Sequence, residues 1–192
     1  MGRKKITMLS DDLKQTTQEA HQQLETKMDL LSRLHSVESY KKLLMKFYQY
    51  YVPLEAQLVR FPDDLPLEGR LKSTLLKYDL LALGFTDQEI QTLPAATTLP
   101  PVTSLSDAIG AFYVLEGSTM GGQVISKQLR EKLSITPETG GSFFYAYGPQ
   151  TMPMWLEFRT FLNSDETASK TERPKILESA KATFLSLERW VC

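Results

Sequence analysis

Two histidines occur in the 192-residue chain, and one of them stands where chemistry is expected. His21 falls within the apolar spacing Leu9, Leu13, Thr17, Ala20, His21, Leu24, Met28, Leu31. Glu25 follows one helical turn later, the interval at which side chains meet. Two readings are open. In the first, His21 is a histidine at the core edge whose nitrogens are satisfied by Glu25 or by backbone. In the second it is a metal or haem ligand: Glu25 accepts from Nδ1, fixes the tautomer and leaves Nε2 for iron. A zinc site needs further histidines or cysteines. Here the other histidine is His35, in the turn RLHS, and the single cysteine is Cys192. Paired Glu-x-x-His motifs for a di-iron bundle site are absent. Haem remains, because one axial protein ligand suffices. His35 is too far to be a second one, about 21 Å away along an unbroken helix. A haem held here is therefore five-coordinate on the protein side, with an open face that can take oxygen.

The stretch EGSTMGGQ, Glu116 to Gln123, raises a second question, because each glycine inside a helix costs about 1 kcal/mol relative to alanine. Gly110, Gly117 and Gly121 fall on one face of a long helix, with Gly122 beside them. Such a face is either a seam where two helices pack closely, or bare backbone on which a flat ligand lies, with the helix kinked over it. A haem between His21 and the Gly117/Gly121 main chain needs both features at once.

The elements that must position these residues are helical throughout; no stretch shows the alternation expected of strands. A first helix opens near Ser10-Asp11-Asp12, an N-cap with acidic residues in the first turn. A second starts at Ser36 and is kinked or ended by Pro53. A third covers LPLEGRLKSTLLKYDLLALG, closing at Gly84. Thr86 to Glu89 is a capping box for a short fourth. LPAATTLPPVTS is a surface linker, after which Ser104 or Ser106 caps the long glycine-bearing helix. GGSFFYAYGPQT reads as an ordered aromatic loop. Helices from about Met154 to Leu162 and from Pro174 to Trp190 complete an all-α chain of some six to eight helices around one core. Phe47, Tyr48, Tyr50 and Tyr51 read as core and surface of the second helix.

Composition narrows the classes. A hydrophobic share of 42% and a charged share of 23% suit a soluble globular domain. A net charge of -1 offers no basic field for nucleic acid. One cysteine excludes a disulfide framework or a CxxCH attachment site and suits a reducing compartment. The N-terminus MGRKKITMLS lacks a signal-peptide apolar stretch, Ile6 fails the myristoylation pattern, and no run is long enough to span a membrane. The expectation is a cytoplasmic protein with a basic tail over residues 1–8 and one domain over 9–192.

With those residues in view, the chain resembles the haem oxygenases. LKQTTQEAHQQLE, from Leu13 to Glu25, looks like that family's first-helix motif, and YVLEGSTMGGQVI like its glycine-rich distal helix. FFYAYGPQTMPMW is similar to bacterial members associated with bacteriophytochromes. The likeness runs from about Leu9 to Trp190. It implies a fold in which haem is sandwiched between the first helix and a kinked distal helix. It also implies oxidative cleavage of haem, at once substrate and cofactor, by O2 and reducing equivalents to biliverdin, carbon monoxide and ferrous iron. Electrons are expected from a ferredoxin, a flavodoxin or a reductase, and two uses of the reaction are open: chromophore for a downstream bacteriophytochrome, or iron for the cell.

The resemblance assigns His21 as proximal ligand, Glu25 as its hydrogen-bonding partner, and Gly117 and Gly121 as the distal glycines crowding the oxygen face. Lys14, two turns before His21, matches a residue that pairs with a haem propionate; Arg159 matches one from the far side of the pocket, and Phe184 a pocket wall. For these three, a solvated helix face or ordinary core are the competing readings. Where many mammalian-type members carry a water-ordering aspartate, this chain has Ser118, so the distal water network needs another anchor. The rival functions are a haem carrier or sensor without turnover, and a haem-free helical protein in which His21 is only structural.

Overall fold

The structure, a computed structural model, describes residues 7–29 and 34–192. Most of the basic tail expected over 1–8, and Leu31 of the first-helix stripe, lie outside the described residues. Among those described the chain is all helix: α1 Leu9–Met28, α2 Val37–Leu58, α3 Ser73–Ala82, α4 Asp87–Gln91, α5 Leu105–Leu133, α6 Ser142–Tyr145, α7 Thr151–Leu162, α8 Asp165–Lys170 and α9 Arg173–Val191. None is long and apolar enough to cross a membrane.

Ser10 does not cap α1, contrary to expectation. It lies inside the helix and buried, and its backbone N–H donates to Asn163 Oδ1 at 3.0 Å, so the cap comes from the end of α7. Asp12 at the same end pairs with Arg173 of α9 at 2.6 Å. From there α1 lies along α9, and Lys27 reaches Glu188 at the far end.

Pro53 neither ends nor interrupts α2. A proline inside a helix orphans the carbonyl four residues back. Here that carbonyl, Gln49, accepts from Ala96 N–H at 2.9 Å, so the proline-rich linker supplies the missing donor. The expected third helix is shorter than its pattern, because Pro66 and Gly69 (φ +68°) break the chain before Ser73. No side chain local to α3 caps it; the buried Glu55 carboxylate of α2 accepts from Lys72 N–H at 2.6 Å and Ser73 N–H at 3.0 Å. Ser36, Thr86 and Ser104 form the capping boxes of α2, α4 and α5, Ser104 with Asp107. The short α8, capped by Ser164, was not expected. The aromatic loop contains α6, whose first N–H groups are held by the buried Asp79: Ser142 at 2.8 Å and Phe143 at 2.7 Å.

α5 is the axis of the molecule. Every residue from Ala108 to Glu116 is buried, so this helix is enclosed on all sides for more than two turns. Its glycines divide into two pairs. A methyl at Gly110 would come within 2.7 Å of Ser179 Cβ and 2.8 Å of Ala180 N, and one at Gly122 within 2.6 Å of the Phe144 carbonyl. Those two are seams that let α9 and α6 approach bare backbone. Gly117 meets only the Trp155 ring edge, at 3.9 Å, and Gly121 meets nothing within 4 Å. α5 runs unbroken through all four, and it reaches the surface at Gly117, Ser118 and Gly121.

Candidate functional site

Contacts at one end of the helices set the level of everything above. Asp12 pairs with Arg173, and Ser106 Oγ accepts from Glu172 N–H at 2.8 Å, so α1, α5 and α9 start side by side. His21, Gly117 and Phe184 each lie about three turns further along their own helix. α1 and α5 touch on the way, where the Tyr113 phenol, raised in pKa by burial and lowered by its hydrogen bond to Thr17, meets that threonine. One turn beyond Thr17 is His21, and one turn beyond Tyr113 is Gly117. The fold thus carries the imidazole and the open glycine pair to one region.

His21 is half exposed, at 53%, and its ring lies 5.3 Å from that of Phe184, tilted by 45°. The ring is therefore reachable from solvent, while the Glu25 contact is common to both readings of it. Its Nε2 lies 3.3 Å from Glu25 Oε1. The His21–Glu25 pairing was expected, but through Nδ1; as the ring is placed, Nδ1 is the nitrogen turned away from Glu25.

Lys14 is exposed, two turns before His21. Arg159 Nη2 reaches α1 itself, 3.3 Å from Asp11 Oδ1 and 3.3 Å from Ser10 Oγ. Asp11 and Lys14 share one helix face. Both cations therefore sit at the first turns of α1, rather than with Arg159 on a far side. Phe184 is buried against His21, and Trp155, which the sequence reading left unassigned, leans over Gly117 and packs on Tyr113 at 5.9 Å between centroids.

Tyr51 is the second residue the sequence reading passed over. Its ring is fully buried, as expected of core, yet its hydroxyl lies 3.0 Å from Ser118 Oγ. Ser118 donates its one proton to the Leu115 carbonyl at 2.7 Å, so Tyr51 must be the donor between them. Burial pushes the Tyr51 phenol far above its ordinary pKa, with the Ser118 bond partly opposing, so it stays a protonated donor at neutral pH. The only trace in sequence was position: a tyrosine on the inner face of α2.

Behind this pair lies a group of charges that no spacing announced. Glu116 Oε2 accepts from Arg70 Nη1 at 2.6 Å, and Oε1 from Lys72 Nζ at 2.9 Å and the Tyr147 hydroxyl at 2.7 Å. Lys72 also bonds Tyr147 Oη at 2.6 Å and lies 4.3 Å from that ring's centroid. Arg70 donates to the Met154 carbonyl at 3.1 Å; its Nη2 is 3.2 Å from Glu157 Oε2, an ion pair without hydrogen-bond geometry. Burial lowers the Lys72 pKa against the opposing pull of Glu116, and raises that of Tyr147 with help from the same carboxylate. One hint was available: Glu116 ends an apolar run, AIGAFYVL, and an acid there requires a cation from elsewhere in the chain.

The heme oxygenase family model matches residues 7–192. The chain belongs to the heme oxygenase family. A curated relative, the heme oxygenase of Xanthomonas campestris pv. campestris, is 28% identical over 162 residues, covering 82% of this chain and 92% of its own length. Among solved structures, the heme oxygenase of Neisseria meningitidis superposes with a TM-score of 0.79 at 19% identity, covering 96% of this chain and 90% of that one. Heme oxygenase-1 of Synechocystis, in complex with heme, gives 0.76 at 17% identity, covering 96% and 91%. At these identities the structures speak for the fold: the all-α architecture expected from the sequence is the family's.

The donor set suits the family's ring rather than a bare ion. Among the described residues no group of three or more His, Cys, Asp or Glu is arranged to hold a metal ion. An accessible imidazole on α1, with side-chain-free backbone at Gly121 of α5, is what a planar, four-nitrogen ligand needs.

Proposed function

We propose that this chain cleaves haem with O2 and reducing equivalents to biliverdin, carbon monoxide and ferrous iron. When bound, haem supplies the iron that activates oxygen and the ring that is oxidised. The observations that carry this reading are the open space over Gly121 on α5 and the half-exposed histidine on α1. A helix gives up side chains there without gaining a packing contact.

The roles follow from position. His21 ligates iron through one ring nitrogen while Glu25 holds the other, fixing tautomer and ring angle. Phe184 braces the imidazole from α9. Lys14, about 10 Å along α1 from His21, and Arg159, which meets α1 at Asp11 about 15 Å from it, hold the ring-edge carboxylates. Gly117 and Gly121 bring main chain against the oxygen-binding face, leaving no acid–base side chain to drive peroxidase chemistry. Ser118, held by Tyr51, keeps a lone pair free to accept from water. That pair is the anchor which the missing aspartate otherwise supplies. Tyr51→Phe should lower stability by about 1 kcal/mol. It should also slow biliverdin formation by about tenfold while hemin affinity stays within about twofold, the split expected when only a proton-delivery group is disturbed. Loss of affinity with unchanged turnover would refute that role.

Electrons come from a ferredoxin, a flavodoxin or a reductase, the setting is the cytoplasm, and the product serves a bacteriophytochrome. Titration with hemin should give a Soret band, and a reductant under air should convert it to the biliverdin spectrum. A band that persists through reduction and aeration marks a carrier; no band at all removes the haem reading.

A further inference from the structure

We infer that Glu116 is a positioning residue for the distal backbone: through it Arg70, Lys72 and Tyr147 set how α5 presents Gly117 and Ser118. This rests on the haem reading above.

A helix is held in its roll about its own axis by the side chains it packs. At Gly117 and Gly121 α5 has none on the open side, so the roll there is set by the residues around them: Gly122 against Phe144, and Glu116 immediately before the stretch. Both Glu116 oxygens are engaged, Oε2 by Arg70 and Oε1 by Lys72 and Tyr147, which leaves the side chain one orientation. The side chains of Glu116, Arg70 and Lys72 are 1%, 2% and 2% exposed, so bulk water does not compete for them. The donors come from two separate segments, the turn before α3 and the loop after α6, so α5 is referenced to the scaffold rather than to a neighbour that moves with it. Those segments are themselves fixed from outside α5: Glu55 of α2 caps the first through Lys72 and Ser73, and Asp79 of α3 holds the start of α6, which leads into the second, through the Ser142 and Phe143 N–H groups. Stability alone does not account for the cluster, since well-packed apolar residues generally do as well as buried ion pairs. What buried ions add is a single geometry. Tyr51 gives the same stretch a second buried reference from α2, donating to Ser118 at 3.0 Å.

The test uses the full chain reconstituted with hemin. Glu116→Gln keeps the shape and removes the charge; Tyr147→Phe removes the two hydrogen bonds of its hydroxyl, to Glu116 and from Lys72, and leaves every charge in place. For each, thermal midpoint, hemin affinity, the ferric spin-state bands and the distribution of biliverdin isomers are measured against wild type. Both variants should bind hemin with affinity within about threefold of wild type. Minor isomers should rise by about fivefold, because displacements well under 1 Å redirect a positioned reaction. Altered spin-state bands should accompany that change. Variants that melt earlier but keep the wild-type isomer pattern and bands overturn the proposal and leave the cluster a scaffold. Should Glu116→Gln fail to fold, Tyr147→Phe decides by the same readouts. Absence of hemin binding by wild type defeats the underlying haem reading instead.

Discussion

His21→Ala leaves the apoprotein folded and ends biliverdin formation. The side chain is 53% exposed, and its ion-pair partner Glu25 is 61% exposed, so truncation costs little stability: about 0.5 kcal/mol or less. Function should respond very differently. The one other histidine, His35, lies beyond the end of α1, so no second imidazole on that helix can take over the axial position. Turnover should fall by about a hundredfold or more, at least the loss that second-sphere mutations alone can reach at metal sites. The hemin complex of the variant should show a shifted Soret band. Added imidazole should restore the wild-type band and part of the ring opening, because it fits the space that the side chain leaves. Unchanged ligation in the variant would end the proximal assignment and, with it, the orienting role of Glu25.

Gly121→Ala should make the protein more stable and less active. Alanine in place of a helical glycine gains up to about 1 kcal/mol, and the added methyl meets nothing within 4 Å, so no packing is lost. For a chain of this size that is roughly 2–4 °C in thermal midpoint. The methyl enters the space over the glycine pair, where oxygen must lie close to main chain, so turnover should drop by about a hundredfold. Gly110→Ala is the control in the opposite sense. There the methyl comes within 2.7 Å of Ser179 and 2.8 Å of the α9 backbone, which cannot retreat without moving the helix. It should cost about 1–3 kcal/mol or more, while the folded fraction turns haem over normally. Two alanines on one helix, with opposite effects on stability and activity, separate a binding face from a packing seam. Wild-type turnover by Gly121→Ala would show that the open glycine is not over the reacting face.

Much of this site was legible before folding. His21 and Glu25 are neighbours by local helical geometry, whatever the rest of the chain does, and they are found 3.3 Å apart. The cap at Ser104 is equally local and is found with Asp107 as partner. Features that needed a distant residue were missed or misread. Ser10 resembles a cap by its neighbours, but Asn163, far along the chain, takes its N–H. Pro53 should break a helix unless something remote donates to Gln49, and Ala96 does. Arg70 and Lys72 look like solvated charges until Glu116 is brought to them.

The glycines show where the division falls. That EGSTMGGQ lies in a helix, and that such a helix holds its glycines for a reason outside itself, follows from propensity, a property of single residues and their neighbours. Which glycines serve packing and which face open space does not, because Gly121 and Gly122 are adjacent and chemically identical. Only the approach of the Phe144 carbonyl to one, and of nothing to the other, separates them. Sequence determined the long helices, the imidazole on the first of them and the composition of the site. Tertiary structure decided which backbone is left bare and which charges are buried behind it, since both depend on distances between segments that no local interaction sets.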